Sequence, residues 1–214
     1  MSASIRGAME ANFWRTLVAG EWEPALNAVY QWQNDEPYST RPAMAGSFLL
    51  SSILSDYKGA EKFAKFGLRA DPGDPLLMNN LVVAKARQYD LFGAASIFKK
   101  IRPDDRLNTF TYRATQGLMK YATGDELGGA EDYKDSLRLA SGSEAALMVR
   151  ASWLDTQARW AKAVDQALVQ RVKADAAKPE PVVARGIALT ALNLAKAHKD
   201  RPLSPPGRSA LVNL

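Results

Sequence analysis

Apolar residues recur along this chain at three- and four-residue spacings, the period of one helix face, and Gly, Pro, Asp and Ser interrupt the pattern at short intervals. Residues 4–19 place Ile5, Met9, Phe13, Leu17 and Val18 on one face, and Gly20-Glu21 breaks it. Trp22-Glu23-Pro24-Ala25 opens a second helix that runs to about Gln33, with Pro in the first turn, where a missing N–H costs nothing. A third helix is predicted over 42–55 and a fourth over 56–72, ending at Asp71-Pro72. Asp74-Pro75 caps and starts a fifth, whose broad apolar face is Leu77, Met78, Leu81 and Val82 with Lys85 at its edge. The sixth spans 90–101, the seventh 107–122 and the eighth 126–140. The ninth follows Ser143-Glu144 and ends near Gln157, the tenth spans 159–176 and the eleventh 181–198. No alternating β-branched run competes with these helices, so the chain is expected to be all-α.

The even-numbered helices repeat one another. Aligned on a small residue, they place Ala25, Ala60, Ala94, Ala130 and Ala163 at successive spacings of 35, 34, 36 and 33. Three residues earlier stands a bulky one: Trp22, Tyr57, Leu91, Leu127 and Trp160. An acid precedes that residue as Glu21, Asp56, Asp90 and Glu126, with Arg159 breaking the rule. A small side chain lets two antiparallel helices approach. The bulky one wedges the turn, and the acid complements the positive end of the helix.

This pattern resembles the tetratricopeptide repeat family, a helix–turn–helix unit of about 34 residues that stacks into an α–α superhelix. Asp56-Tyr57, Ala60, Phe63, Gly67, Leu68 and Asp71-Pro72 carry the best copy. Met78, Leu81, Ala94, Phe98 and Ile101 carry the next, and Gly117, Tyr121, Gly124-Asp125, Ala130, Tyr133 and Leu137 the one after. The resemblance implies about five repeats in residues 1–176, the outer two degenerate, followed by a basic capping helix over 177–200 and a Pro-rich tail over 201–214.

Composition narrows the chemistry. The chain has 214 residues, no Cys and a single His, His198, so disulfides, thiolate metal sites and Cys–His or Ser–His dyads are not expected. Asp104-Asp105 and Asp71/Asp74 lie beside Pro and read as turn caps. No Gly-rich phosphate loop follows a strand. An enzyme is therefore not expected, nor a cofactor or a metal. Residues 1–7 lack the basic-then-apolar pattern of a secretory leader, and no apolar run is long enough to span a membrane, so the expected location is cytoplasmic. The net charge of +5 is lopsided: residues 171–214 hold eight basic residues against three acidic ones, and the rest of the chain is balanced.

In the family resembled, the first helix of each pair lines a concave groove that holds a peptide. Projected onto this chain, that groove comprises Asn79, Asn80, Val83, Arg87, Thr111, Thr115, Leu118 and Met148, flanked by Glu10, Trp14, Ala45, Leu49 and Ser152. The adjacent Asn79 and Asn80 stand out, because Asn is poor inside a helix. Either they bond a ligand backbone, or they sit at a solvated helix start or bridge neighbouring helices. Only Arg87 could serve the family's clamp for a C-terminal carboxylate, so that clamp is not expected.

The implied function is a protein-interaction scaffold for a peptide segment or partner domain. Two alternatives stand beside it. One is nucleic-acid contact through Arg171, Lys173, Lys178, Arg185, Lys196 and Lys199, although no aromatic residue is interleaved for base stacking. The other is a regulatory or self-association domain of a larger protein, docked through Trp-rich ends, with Trp14, Trp22 and Trp32 at one and Trp153 and Trp160 at the other.

Overall fold

A computed structural model describes residues 3–102, 109–179 and 182–200, with side chains described over 9–102, 109–179 and 182–197. The tail over 201–214, Asp104-Asp105 and the side chains of His198 and Lys199 lie outside the described residues. The chain is all-helical there and divides into two compact units, Met1–Ile101 and Arg102–Leu214. Among the described residues no helix is long and apolar enough to cross a membrane.

The first unit holds α1 (Ala3–Ala19), α2 (Trp22–Asp35), α3 (Thr40–Ser52), α4 (Tyr57–Ala70), α5 (Pro75–Arg87) and α6 (Leu91–Phe98). They form three successive hairpins: α1 packs on α2, α3 on α4 and α5 on α6, while α2–α3, α4–α5 and α3–α5 contacts stack one hairpin on the next. Close approach explains the small residues. Ala25, Ala60 and Ala94 are fully buried, as the sequence pattern expects. A Cβ on Gly46 would stand 2.6 Å from the Phe63 ring, and one on Gly67 would stand 2.6 Å from both Ala43 Cβ and Leu77 Cδ1.

The second unit holds α7 (Phe110–Ala122), α8 (Glu126–Leu139), α9 (Ala145–Trp160), α10 (Gln166–Ala176) and α11 (Val182–Asp200). α7 and α8 form a hairpin whose crossing brings backbone as well as side chains close. A Cβ on Gly117 would approach the Gly129 carbonyl oxygen to 2.9 Å, and one on Gly129 would approach the Tyr121 ring to 2.6 Å. α11 closes the unit by lying along α9 with Ala184, Ile187, Ala188, Ala191 and Ala195 buried, while α10 touches both. Its small-residue face lets it pack closely, so the cap contributes core as well as a solvated side.

One device starts the second helix of three hairpins. The side chains of Asp56, Asp90 and Asp125 each accept the backbone N–H of the residue three further on, Gly59, Gly93 and Gly128, at 2.9 Å. In this geometry a Cβ on that Gly would sit 2.3–2.4 Å from a carboxylate oxygen of the same Asp, so the capping carboxylate would have to shift. The residue before each Asp adopts a left-handed conformation: Ser55 at φ 56°, Tyr89 at φ 64° and Gly124 at φ 91°. Gly20 at φ 75° precedes Glu21, the equivalent residue of the first hairpin, whose side chain makes no cap bond.

This register corrects two expectations. In the fourth copy the capping acid is Asp125 rather than Glu126, so Gly129 occupies the crossing, Ala130 is half-buried, and Leu127 is 84% exposed rather than wedged. The fifth copy does not form as expected. Gln157-Ala158 offers no left-handed turn, so α9 continues to Trp160, whose side chain is 1% exposed. Residues 161–165 are non-helical, and α10 begins only where Asp165 accepts the N–H groups of Ala167 and Leu168.

Candidate functional site

In the first unit the hairpins' first helices, α1, α3 and α5, each keep one partly open stripe. On α3 it comprises Arg41, Ala45, Phe48 and Ser52, spaced as neighbours on a helix face, with Arg41 exposed and the others half-buried. On α5, 35 residues later throughout, it comprises Leu76, Asn80, Val83 and Arg87. Leu76 is 45% exposed and Arg87 is 8% exposed, so the stripe closes toward its C-terminal end. The helices are tied together along it. Asn80 Nδ2 donates to Ser47 Oγ at 2.9 Å, and the Arg41 guanidinium pairs with Glu10 on α1. Glu10 Oε1 also accepts from the Trp14 indole at 3.3 Å, and Trp14 is 49% exposed.

The projected groove is therefore only partly accessible. Asn80 and Val83 lie on the open stripe, and Asn80 is also the bridge between helices that its chemistry allowed. Asn79 is one position off it: with Val82 and Ala86 it forms a buried stripe, at 3% exposure. Leu49 and Arg87 are buried as well. A simple projection treats a helix as one-sided, whereas α5 is packed by α3, α4 and α6, and most of its circumference is covered.

In the second unit Thr111 on α7 and Met148 and Ser152 on α9 are half-buried, whereas Thr115 and Leu118 are 3% and 2% exposed. The packing of α9 against α7 and α8 uses this side. Trp153 donates to the Tyr121 hydroxyl at 3.0 Å and stacks on Tyr133 with ring centroids 5.7 Å apart. Tyr133 in turn bonds the Thr156 hydroxyl at 2.8 Å. The open stripe of α9 is Met148, Ser152, Asp155 and Arg159, the last two an ion pair at 3.3 Å.

The tryptophans divide in the same way. Trp32, Trp153 and Trp160 are core and Trp22 is half-buried, leaving Trp14 as the one exposed ring.

The basic residues of the C-terminal region do not share one surface role. Asp175, 4% exposed, gathers Arg150 at 2.8 Å, Lys178 at 3.0 Å and Arg171 at 3.3 Å. Burial pushes its carboxyl upward, but the Lys178 hydrogen bond and the charges of Arg150 and Arg171 outweigh that and hold it below the ordinary value. Arg185 donates to the carbonyl oxygens of Lys178 and Pro179. Three of the proposed phosphate contacts, Arg171, Lys178 and Arg185, thus lie within internal networks or turns. Lys173 and Lys196 remain exposed, with no ion pair to a described residue.

A second charged cluster supports the first unit. The Glu61 carboxylate meets Lys65 at 2.6 Å, Gln88 at 2.7 Å and Lys85 at 3.5 Å, while Lys85 reaches Asp90 at 2.5 Å. The Lys65 hydrogen bond holds Glu61 low, the Lys85 hydrogen bond holds Asp90 low, and Asp90 holds Lys85 high. These groups join α4, α5 and the cap of α6, so their perturbed ionisation belongs to the scaffold.

Comparison with known protein families finds no family model that matches the chain, and comparison with curated proteins finds no match.

Proposed function

We propose that this chain is a tetratricopeptide-like interaction scaffold, cytoplasmic and non-catalytic. It holds a peptide segment or partner domain on the open stripes of α1, α3 and α5. The observation that carries the reading is the constant offset of 35 residues between Arg41, Ala45 and Phe48 on α3 and Leu76, Asn80 and Val83 on α5. Stacked hairpins in such a register present equivalent positions side by side, as a repeated surface for an extended or helical ligand.

The chemistry of the surface favours a mixed ligand. Phe48, Leu76 and Val83 offer apolar contacts, and the partly accessible Asn80 amide offers polar ones. Arg41 is committed to Glu10 and lies over the Trp32 ring at 5.5 Å, which makes it a fixed edge rather than a mobile charge.

The test is affinity for the principal partner recovered with the tagged chain. Val83→Glu places a charge on a half-open position and is expected to weaken that partner at least about tenfold, as loss of an interface anchor does. Its thermal midpoint should stay close to that of the parent. Lys62→Glu, on the exposed side of α4, should leave affinity unchanged. Equal affinity of the Val83→Glu and parent chains would sink this surface assignment.

A further inference from the structure

An open cleft of about 620 Å³ lies in the second unit between residues 162–164, α10 and α11. Its rim carries three lysines from three separate segments: Lys162 from the connection, Lys173 from α10 and Lys196 from α11. Its wall includes Val164, Val169 and Leu192, all half-buried, and no carboxylate is among the lining residues. None of the three ammonium groups has an ion pair or hydrogen bond to a described residue.

The nearby acids among the described residues are occupied otherwise. Asp165 caps α10 through the N–H groups of Ala167 and Leu168, and Glu126 accepts the backbone N–H of Lys162 at 3.3 Å. Asp175, on the same helix as Lys173, is surrounded by Arg150, Arg171 and Lys178. Elsewhere in this unit buried acids draw in the neighbouring cations, whereas the lining of the cleft brings three lysines together with no carboxylate among the described residues. Like charges so placed repel, and an anion between them removes that repulsion.

We propose that this cleft binds a small phosphate monoester with an apolar or aromatic body. The phosphate sits among the ammonium groups of Lys162, Lys173 and Lys196, and the body lies against Val164, Val169 and Leu192. Three lysine point charges suit a dianion better than the single charge of a carboxylate. An open cleft of this size, part apolar and part cationic, takes a head and a body together.

The experiment is calorimetric titration of the full chain at fixed ionic strength with phenyl phosphate, inorganic phosphate and phenol. Phenyl phosphate should bind at one saturable, salt-sensitive site. Inorganic phosphate should bind about tenfold more weakly, the effect of losing apolar contact, and phenol should not bind. Lys173→Ala and Lys196→Ala change exposed side chains, and each should weaken both anions about fivefold. Leu192→Ser should weaken phenyl phosphate alone, and Lys134→Ala, an exposed lysine on α8, should change nothing. Absence of saturable phenyl phosphate binding at millimolar concentration overturns the proposal, as does binding indifferent to Lys173→Ala and Lys196→Ala. A single-stranded oligonucleotide that binds through these lysines far more tightly than phenyl phosphate also overturns it, in favour of a polynucleotide track.

Discussion

At Gly129 the absence of a side chain sets how closely α7 and α8 approach. A Cβ there meets the Tyr121 ring at 2.6 Å and the Gly117 carbonyl at 3.0 Å, and neither can retreat without moving a helix. Gly129→Ala is therefore expected to cost about 1–3 kcal/mol, the usual range for overpacking a filled core. Ala130→Gln, at a half-buried position, should stay within about 0.5 kcal/mol of the parent. Urea unfolding of both variants reads this directly, and the reverse order would restore Ala130 as the crossing residue. A second residue with a conformational demand is Ser55, left-handed at φ 56° and exposed. A non-Gly residue there costs about 1 kcal/mol. Ser55→Gly should therefore raise stability by a sizeable part of that, and a lower denaturation midpoint would contradict the strained turn.

Among the elements, α10 is tied to α9 by the Asp175–Arg150 pair as well as by its buried Leu168 and Val172. Asp175 is held below its ordinary value of 3.8 because the folded chain favours its ionised form. The stabilisation is thus fully present above that value and is lost as pH falls through the lower, folded value. Glu61 and Asp90, also held low, act in the same direction in the first unit. Asp175→Asn should cost about 3 kcal/mol at neutral pH, because it leaves Arg150 without its charged partner. The gap between parent and variant should close in acid, below about pH 4. A gap independent of pH would mean that shape rather than charge holds α10.

The helices of the first unit were legible in the sequence because hydrophobic period and turn chemistry agree there, and Ala25, Ala60 and Ala94 mark true crossings. In the fourth copy the recurrent Ala falls one residue beyond the true crossing. An alignment on Ala cannot see that Gly128-Gly129 preserves the spacing from Asp125 that Gly59-Ala60 keeps from Asp56. Anchoring on the recurrent Asp-x-x-Gly would have found it. The length of α9 was hidden for a different reason: Trp160 stays helical because of the core it enters, which no local signal announces.

At the scale of the whole molecule, accessibility rather than residue type separates scaffold from surface. Asn79 and Asn80 are chemically identical neighbours, yet one is buried with Val82 and Ala86 while the other lies on the open stripe with Val83. The same distinction divides the C-terminal cations, since Arg171 and Lys178 serve Asp175 while Lys173 and Lys196 face a cleft. Net charge and motif spacing carry no information on this point, because burial is decided by which helix lies alongside. Partners of the proposed scaffold would meet the open stripes of α3 and α5. Photo-crosslinking in the native cell tests this most directly, with the reactive side chain placed at Phe48, at Val83 or, on the exposed side of α4, at Lys62. One shared adduct is expected from positions 48 and 83 and none from 62. An adduct from 62 with none from 48 or 83 would contradict it.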